Sequence, residues 1–140
     1  GIFRAMRSLR SLVAEAISDL NLVYEIEGSR ATLSVPQPNG RSQRVFVEDC
    51  SDTMGQEDVI KIYSVCCPAQ ETYYHRALEL NATISHGSLA IDDVNGQSCF
   101  VMVNSYPRST CDPEEVRRSV LDIAQWADEV ENALTGDDRN

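Results

Sequence analysis

The sequence predicts an α+β fold, an antiparallel sheet of about five or six strands with helices at the N-terminus, in the middle and at the C-terminus. Three observations carry this. The two ends of the chain repeat apolar residues at helical spacing, the stretches between them repeat apolar residues at every second position, and turn pairs rich in Gly and Asn separate those stretches.

At the N-terminus Ile2, Met6, Leu9, Val13, Ala16, Ile17 and Leu20 advance mostly in threes and fours, which lines one stripe of a helix. From Leu22 the period falls to two. Leu22, Tyr24 and Ile26 share one side of a strand, and Ala31, Leu33 and Val35 repeat the pattern after a turn at Gly28-Ser29. Asn39-Gly40 is a tight-turn pair that accepts positive φ, and a third strand is expected over 43–48. Asp49 to Asp58 is polar and reads as a loop, followed by a fourth strand from Val59 to Cys67. Pro68 suits the first turn of a helix, where no N–H donor is needed, and that helix is expected to run to Asn81. Ser88 to Ile91 and Ser98 to Asn104 form a second hairpin, turned through Asn95-Gly96. The last helix has the clearest start: Asp112 and Glu115 make a capping box around Pro113. Val116, Val120, Ile123, Ala127, Val130 and Leu134 line its apolar face, and Gly136 is placed as a left-handed cap. The 140 residues suit one domain, 1–140.

Composition removes several function classes. A net charge of -10 repels phosphates, and the one basic cluster, Arg4, Arg7 and Arg10, recurs at helical spacing as a solvated face, so nucleic acid is not an expected partner. No apolar run approaches the roughly 20 residues of a membrane-spanning helix. The five cysteines form no paired C-x-x-C spacing and follow no secretory signal, which points to a reducing, cytoplasmic setting.

No catalytic or cofactor motif is present. The single lysine, Lys61, stands in a strand rather than a phosphate-binding loop, and neither G-x-S-x-G nor H-E-x-x-H occurs. His75 and Glu79 share a helical face with Cys66 and Cys67 upstream, but two ligands do not make a metal site, and Cys66 and Cys67 should point to opposite sides of a strand. The cysteines have neutral or acidic surroundings, which give no activated thiolate. His86 has no identifiable acid or nucleophile partner. The expectation is no enzyme, no metal and no cofactor.

The strands carry a different signal. If Val45 and Val47 face the helices, Phe46 faces away, as do Val23 on the first strand and one of two alternating sets on the last: Cys99, Val101 and Val103, or Phe100 and Met102. A sheet covered by helices on one side needs only one apolar face. The second face is therefore expected to be covered by the chain's own segments, a second subunit or a client, and Val23, Phe46, Phe100 and Met102 are the candidate partner-binding residues.

From Ala77 to Leu134 the chain runs through a helix ending Ala77-Leu78-Glu79-Leu80-Asn81, then His86-Gly87-Ser88-Leu89-Ala90-Ile91-Asp92, an apolar strand, Tyr106-Pro107, and a helix closing on Gln125-Trp126-Ala127-Asp128-Glu129-Val130-Glu131. This span resembles class I type III secretion chaperones and the related YbjN-like family. The resemblance implies a chaperone-like homodimer that holds an unfolded stretch of a protein client, with no catalytic residue to carry over. The alternative is a regulatory or scaffold domain excised from a larger protein, suggested by a chain that starts directly in a helix at Gly1-Ile2-Phe3. A third reading, a small metal-dependent enzyme using His75, Glu79 and cysteines, is the least supported.

Overall fold

The computed structural model describes residues 7–51, 55 and 57–136, so Ile2, Met6 and Arg4 lie outside the described residues. Ser8 caps the first helix, α1 (Leu9–Ala16), by accepting from the Ser11 N–H at 3.1 Å. Leu12, Val13 and Ala16 are the buried stripe expected of it. Six strands follow in the order β1 (Val23–Glu27), β2 (Arg30–Pro36), β3 (Ser42–Ser51), β4 (Asp58–Pro68), β5 (Ser88–Val94) and β6 (Gln97–Pro107). A short 3-10 turn, Glu71–Tyr73, and helix α2 (Tyr74–Asn81) separate β4 from β5, and α3 (Pro113–Thr135) closes the chain. All neighbours in the sheet are antiparallel, in the order β1-β2-β3-β4-β6-β5, which leaves β1 and β5 as the two edges. This is the α+β architecture expected, with six strands.

Several boundaries differ for identifiable reasons. Asp49, Cys50 and Ser51 extend β3 instead of forming a loop, because they pair with Ile60, Val59 and Asp58, and the buried Arg108 holds Asp49 at 3.2 Å. Pro68 ends β4 instead of opening a helix. Gly136 keeps right-handed φ, -59°, so it is not the left-handed cap expected. At Asn95-Gly96 both residues have positive φ, the tight hairpin geometry, whereas at Asn39-Gly40 only the glycine does.

The core lies between one face of the sheet and the three helices. Leu12, Leu33, Val45, Val47, Ile60, Ile62, Met102, Val120 and Ile123 are among its fully buried members. The capping box is formed, with Asp112 accepting from the Glu115 N–H at 2.8 Å and the Glu115 carboxylate accepting from the Asp112 N–H at 3.4 Å. It fixes where α3 starts, so that Val116, Val120, Ile123, Ala127, Val130 and Leu134 all fall against the sheet.

Candidate functional site

The register assigns every strand residue to a face. Away from the helices lie Val23 and Glu25 of β1, Thr32 and Ser34 of β2, Arg44 and Phe46 of β3, Tyr63 and Val65 of β4, Val101 and Val103 of β6, and Ala90 of β5. Among the described residues no helix covers this outer face, yet Val101 is only 3% exposed and Cys99 is buried beside it, both outside the main core cluster. The sheet covers them itself. Lys61 is in register with Ser105 and Asp92 with Cys99, six positions apart along β6, and still the Lys61 Nζ lies 3.7 Å from the Asp92 carboxylate. Two side chains so placed meet only if the β4-β6-β5 half curls toward its outer side. A bulge between Val65 and Cys67 supplies the bend, as such insertions do by increasing local twist.

The same bulge corrects the expectation for Cys66 and Cys67: both are buried in the core cluster instead of facing opposite ways. Burial raises both thiols, Cys67 to about 11, with the Glu131 and Cys99 charges adding to it. Neither is an available thiolate at neutral pH. His75 and Glu79 stand 3.7 Å apart on an exposed helical face, and among the described residues no cluster of three or more His, Cys, Asp or Glu side chains could hold a metal.

The other half of the outer face is open. Val23 is 79% exposed, and a recess of about 510 Å³ runs from it past Glu25 and Arg44 to Phe46. Phe46 stacks on Tyr63 at 5.0 Å between centroids, Arg30 lies 5.0 Å over the Phe46 ring, and the Arg30 guanidinium donates to the Tyr63 hydroxyl. The ring pair is thus held flat on the sheet, a firm apolar floor with a charged margin.

Of the four candidate residues, Val23 and Phe46 lie together in this open recess. Phe100 and Met102 do not: they are 2% and 0% exposed on the helix side, and the outward set on β6 is Val101 and Val103. The apolar run Cys99 to Val103 has no parity of its own. The hairpin decides it, because the Asn95-Gly96 turn sets Ile91 opposite Phe100 and Leu89 opposite Met102, aligning the larger apolar residues of both strands on the core side.

A second apolar feature flanks the β5 edge. Tyr74, Leu78 and Ile91 are exposed, Leu78 at 71%, and with Ala77, Leu89 and Phe100 they line a groove of about 310 Å³. α2 lies along β5 with too few apolar side chains of its own to close it.

His86, expected to be alone, has four partners. Its Nδ1 is 2.7 Å from Asp122, and its Nε2 is 2.9 Å from Asn104 Nδ2, 3.0 Å from the Tyr106 hydroxyl and 3.3 Å from Ser119 Oγ. Ser119, His86 and Asp122 have the connectivity of a hydrolytic triad. Ser119 is fully shielded from solvent, however, and its hydroxyl already meets Tyr106 at 2.7 Å and Asn104 at 3.1 Å. In this geometry the network pins β6 and the start of β5 to α3. The signal was present in the alternation of Asn104 with Tyr106 and the i, i+3 spacing of Ser119 with Asp122, which puts each pair on one side of its element.

No protein-family model and no curated protein matches this chain. Among solved structures, it is similar to a chain of the HopA1-SchA chaperone-effector complex, at a TM-score of 0.57 and 16% sequence identity, over 88% of this chain and 92% of that one. At that identity the likeness establishes a shared fold, in agreement with the chaperone-like architecture expected from the sequence. Among the described residues no helix is long and apolar enough to cross a membrane.

Proposed function

We propose that this chain is a single-domain, non-enzymatic, chaperone-like module that holds a segment of a partner protein on the open half of its outer sheet face and works as a homodimer in the cytoplasm. The observation that carries the binding role is the uncovered recess at Val23 and Phe46, bordered by a sheet edge with free backbone groups. An extended segment added at β1 gains main-chain hydrogen bonds there, and the chain continuing from it can cross the recess onto the Phe46–Tyr63 floor, which begins two strands further in. The fold it shares with a chain of a chaperone-effector complex supports the same role.

The homodimer is supported at the other edge. A two-fold axis through Ile91 would pair β5 with a second β5 antiparallel, set Ile91 against its symmetry mate and bring Leu78 and Tyr74 of both copies over the joint. Light scattering is the first test: a dimeric mass that becomes monomeric in Leu78→Asp/Ile91→Asp supports this surface, and a strictly monomeric wild type rejects it. Binding is tested with a photocrosslinking residue at position 46 and another at Arg118 on the exposed side of α3. Crosslinks to one defined partner from 46 and not from 118, reproduced with that partner purified, support the reading; equal yields from both sites would reject it.

A further inference from the structure

Resting on that binding role, we infer that the β1 edge selects a partner segment in which two basic residues flank an apolar one, so that apolar and basic side chains alternate along an extended strand. Among the described residues β1 is bonded only to β2, and its two sides differ in chemistry. Tyr24 and Ile26 face the helix side, where α1 packs on α3, β2 and β3 and leaves Tyr24 exposed. Glu25 and Glu27 face the outer side at alternate positions, roughly 6–7 Å apart along the strand.

These carboxylates are only partly compensated. Glu25 has no ion-pair partner among the described residues, and the Arg30 that stands opposite Glu27 divides its charge between Glu27 and Glu48 and lies over the Phe46 ring. Arg44 lies at the far end of the recess, opposite Ser34 and two strands in from Val23, so the acidic margin is confined to the Glu25–Glu27 end. A guest strand therefore meets two acids on its outer side, apolar surface on its inner side and Val23 at one end.

A second copy of this chain does not fit the edge. Symmetric pairing of β1 with itself about its centre sets Glu25 opposite Glu25, and like charges directly opposite are destabilising, while β5 would bring Asp92 onto the same outer side as Glu25 and Glu27. The acids thus act against self-association at this edge and in favour of a basic guest.

The test uses short end-blocked peptides alternating isoleucine with lysine, with glutamate or with serine, titrated calorimetrically into the intact protein. The lysine peptide should bind about tenfold more tightly than the glutamate peptide, the sum of two modest exposed charge pairs. Glu25→Gln/Glu27→Gln should remove the preference and Glu25→Lys/Glu27→Lys should invert it. Glu114→Lys/Glu129→Lys, an equal charge change on α3, should leave it intact. If the serine peptide binds and the lysine and glutamate peptides do not differ, the selection is refuted while the binding role stands. Equal loss of lysine-peptide binding in the α3 variant would reduce the effect to general charge attraction and also overturn it. If none of the peptides binds, both this inference and strand addition at β1 fail.

Discussion

Gly87→Ala should cost about 2–5 kcal/mol, and the structure divides that cost into two separable parts. Gly87 immediately precedes β5 with a φ of +94°, where an L side chain is strained by roughly 1–2 kcal/mol. A Cβ there would lie 2.9 Å from Ile123 Cδ1 and 3.2 Å from the Val103 carbonyl oxygen. Ile123 is fully buried and the carbonyl is part of the β6 ladder, so neither yields freely, and overpacking of this kind costs about 1–3 kcal/mol. Urea unfolding followed by circular dichroism gives the total. Ile123→Val removes the Cδ1 atom, so in the double variant the clash should be relieved while the φ strain persists, giving a favourable coupling of about 1 kcal/mol. A Gly87→Ala protein within about 0.5 kcal/mol of wild type, or additive behaviour with Ile123→Val, would refute this account of how β5 seats on α3.

Met102→Ala should lose about 2–5 kcal/mol of stability by opening a cavity under α3, whereas Phe46→Ala, at the half-exposed outer floor, should lose much less and chiefly weaken partner binding; equal losses in urea would contradict the assigned faces. Asp112→Ala should cost about 1 kcal/mol by freeing the α3 N-terminus, with Asp112→Ser largely restoring it in the same assay. Stability should fall as pH rises past the ordinary thiol range near about 8.5, because unfolded cysteines then release protons that the fold retains. Burial with the Glu131 charge holds Cys67 up to about 11, and burial with the Glu115 and Asp112 charges holds Cys111 up to about 12, so their contribution to the decline should level off only beyond those values. Urea midpoints taken across the alkaline range should fall less steeply in Cys67→Ala/Cys111→Ala, and an unchanged slope would count against this origin.

What could be read from the sequence was whatever is local. The α3 capping box, the period-two strands and the Asn95-Gly96 hairpin depend on residues within a few positions of each other, and all three are observed. What could not be read depends on partners far along the chain. Asp49 is strand because Ile60 and Arg108 lie beside it, and the network at His86 draws on Asn104, Tyr106, Ser119 and Asp122 from two other elements. The outer apolar face was legible as an excess of apolar residues, but its curvature was not. A single bulged position at Cys66 turns part of that face inward, and no local pattern at Val65-Cys66-Cys67 announces it.

That curvature is what separates the two uses proposed for the sheet. Had the outer face been flat, its apolar residues would have formed one continuous surface from β1 to β5, prone to indiscriminate association. Among the described residues, curling hides Val101 and Cys99 without a helix and leaves the accessible apolar floor on the β1 side, while the β5 side keeps its edge and the α2 patch. The edges then differ in charge as well as position. β5 can meet itself across Ile91, whereas β1 repels itself through Glu25. Two copies joined at their β5 edges would hold their β1 edges apart at opposite ends of a shared sheet. A partner carrying two extended basic segments, joined by a linker long enough to span that sheet, would bind the second copy at the high effective concentration set by the first. Shortening the linker below that span should therefore collapse the affinity to that of a single segment, and a linker-independent affinity would argue against two equivalent edges on one assembly.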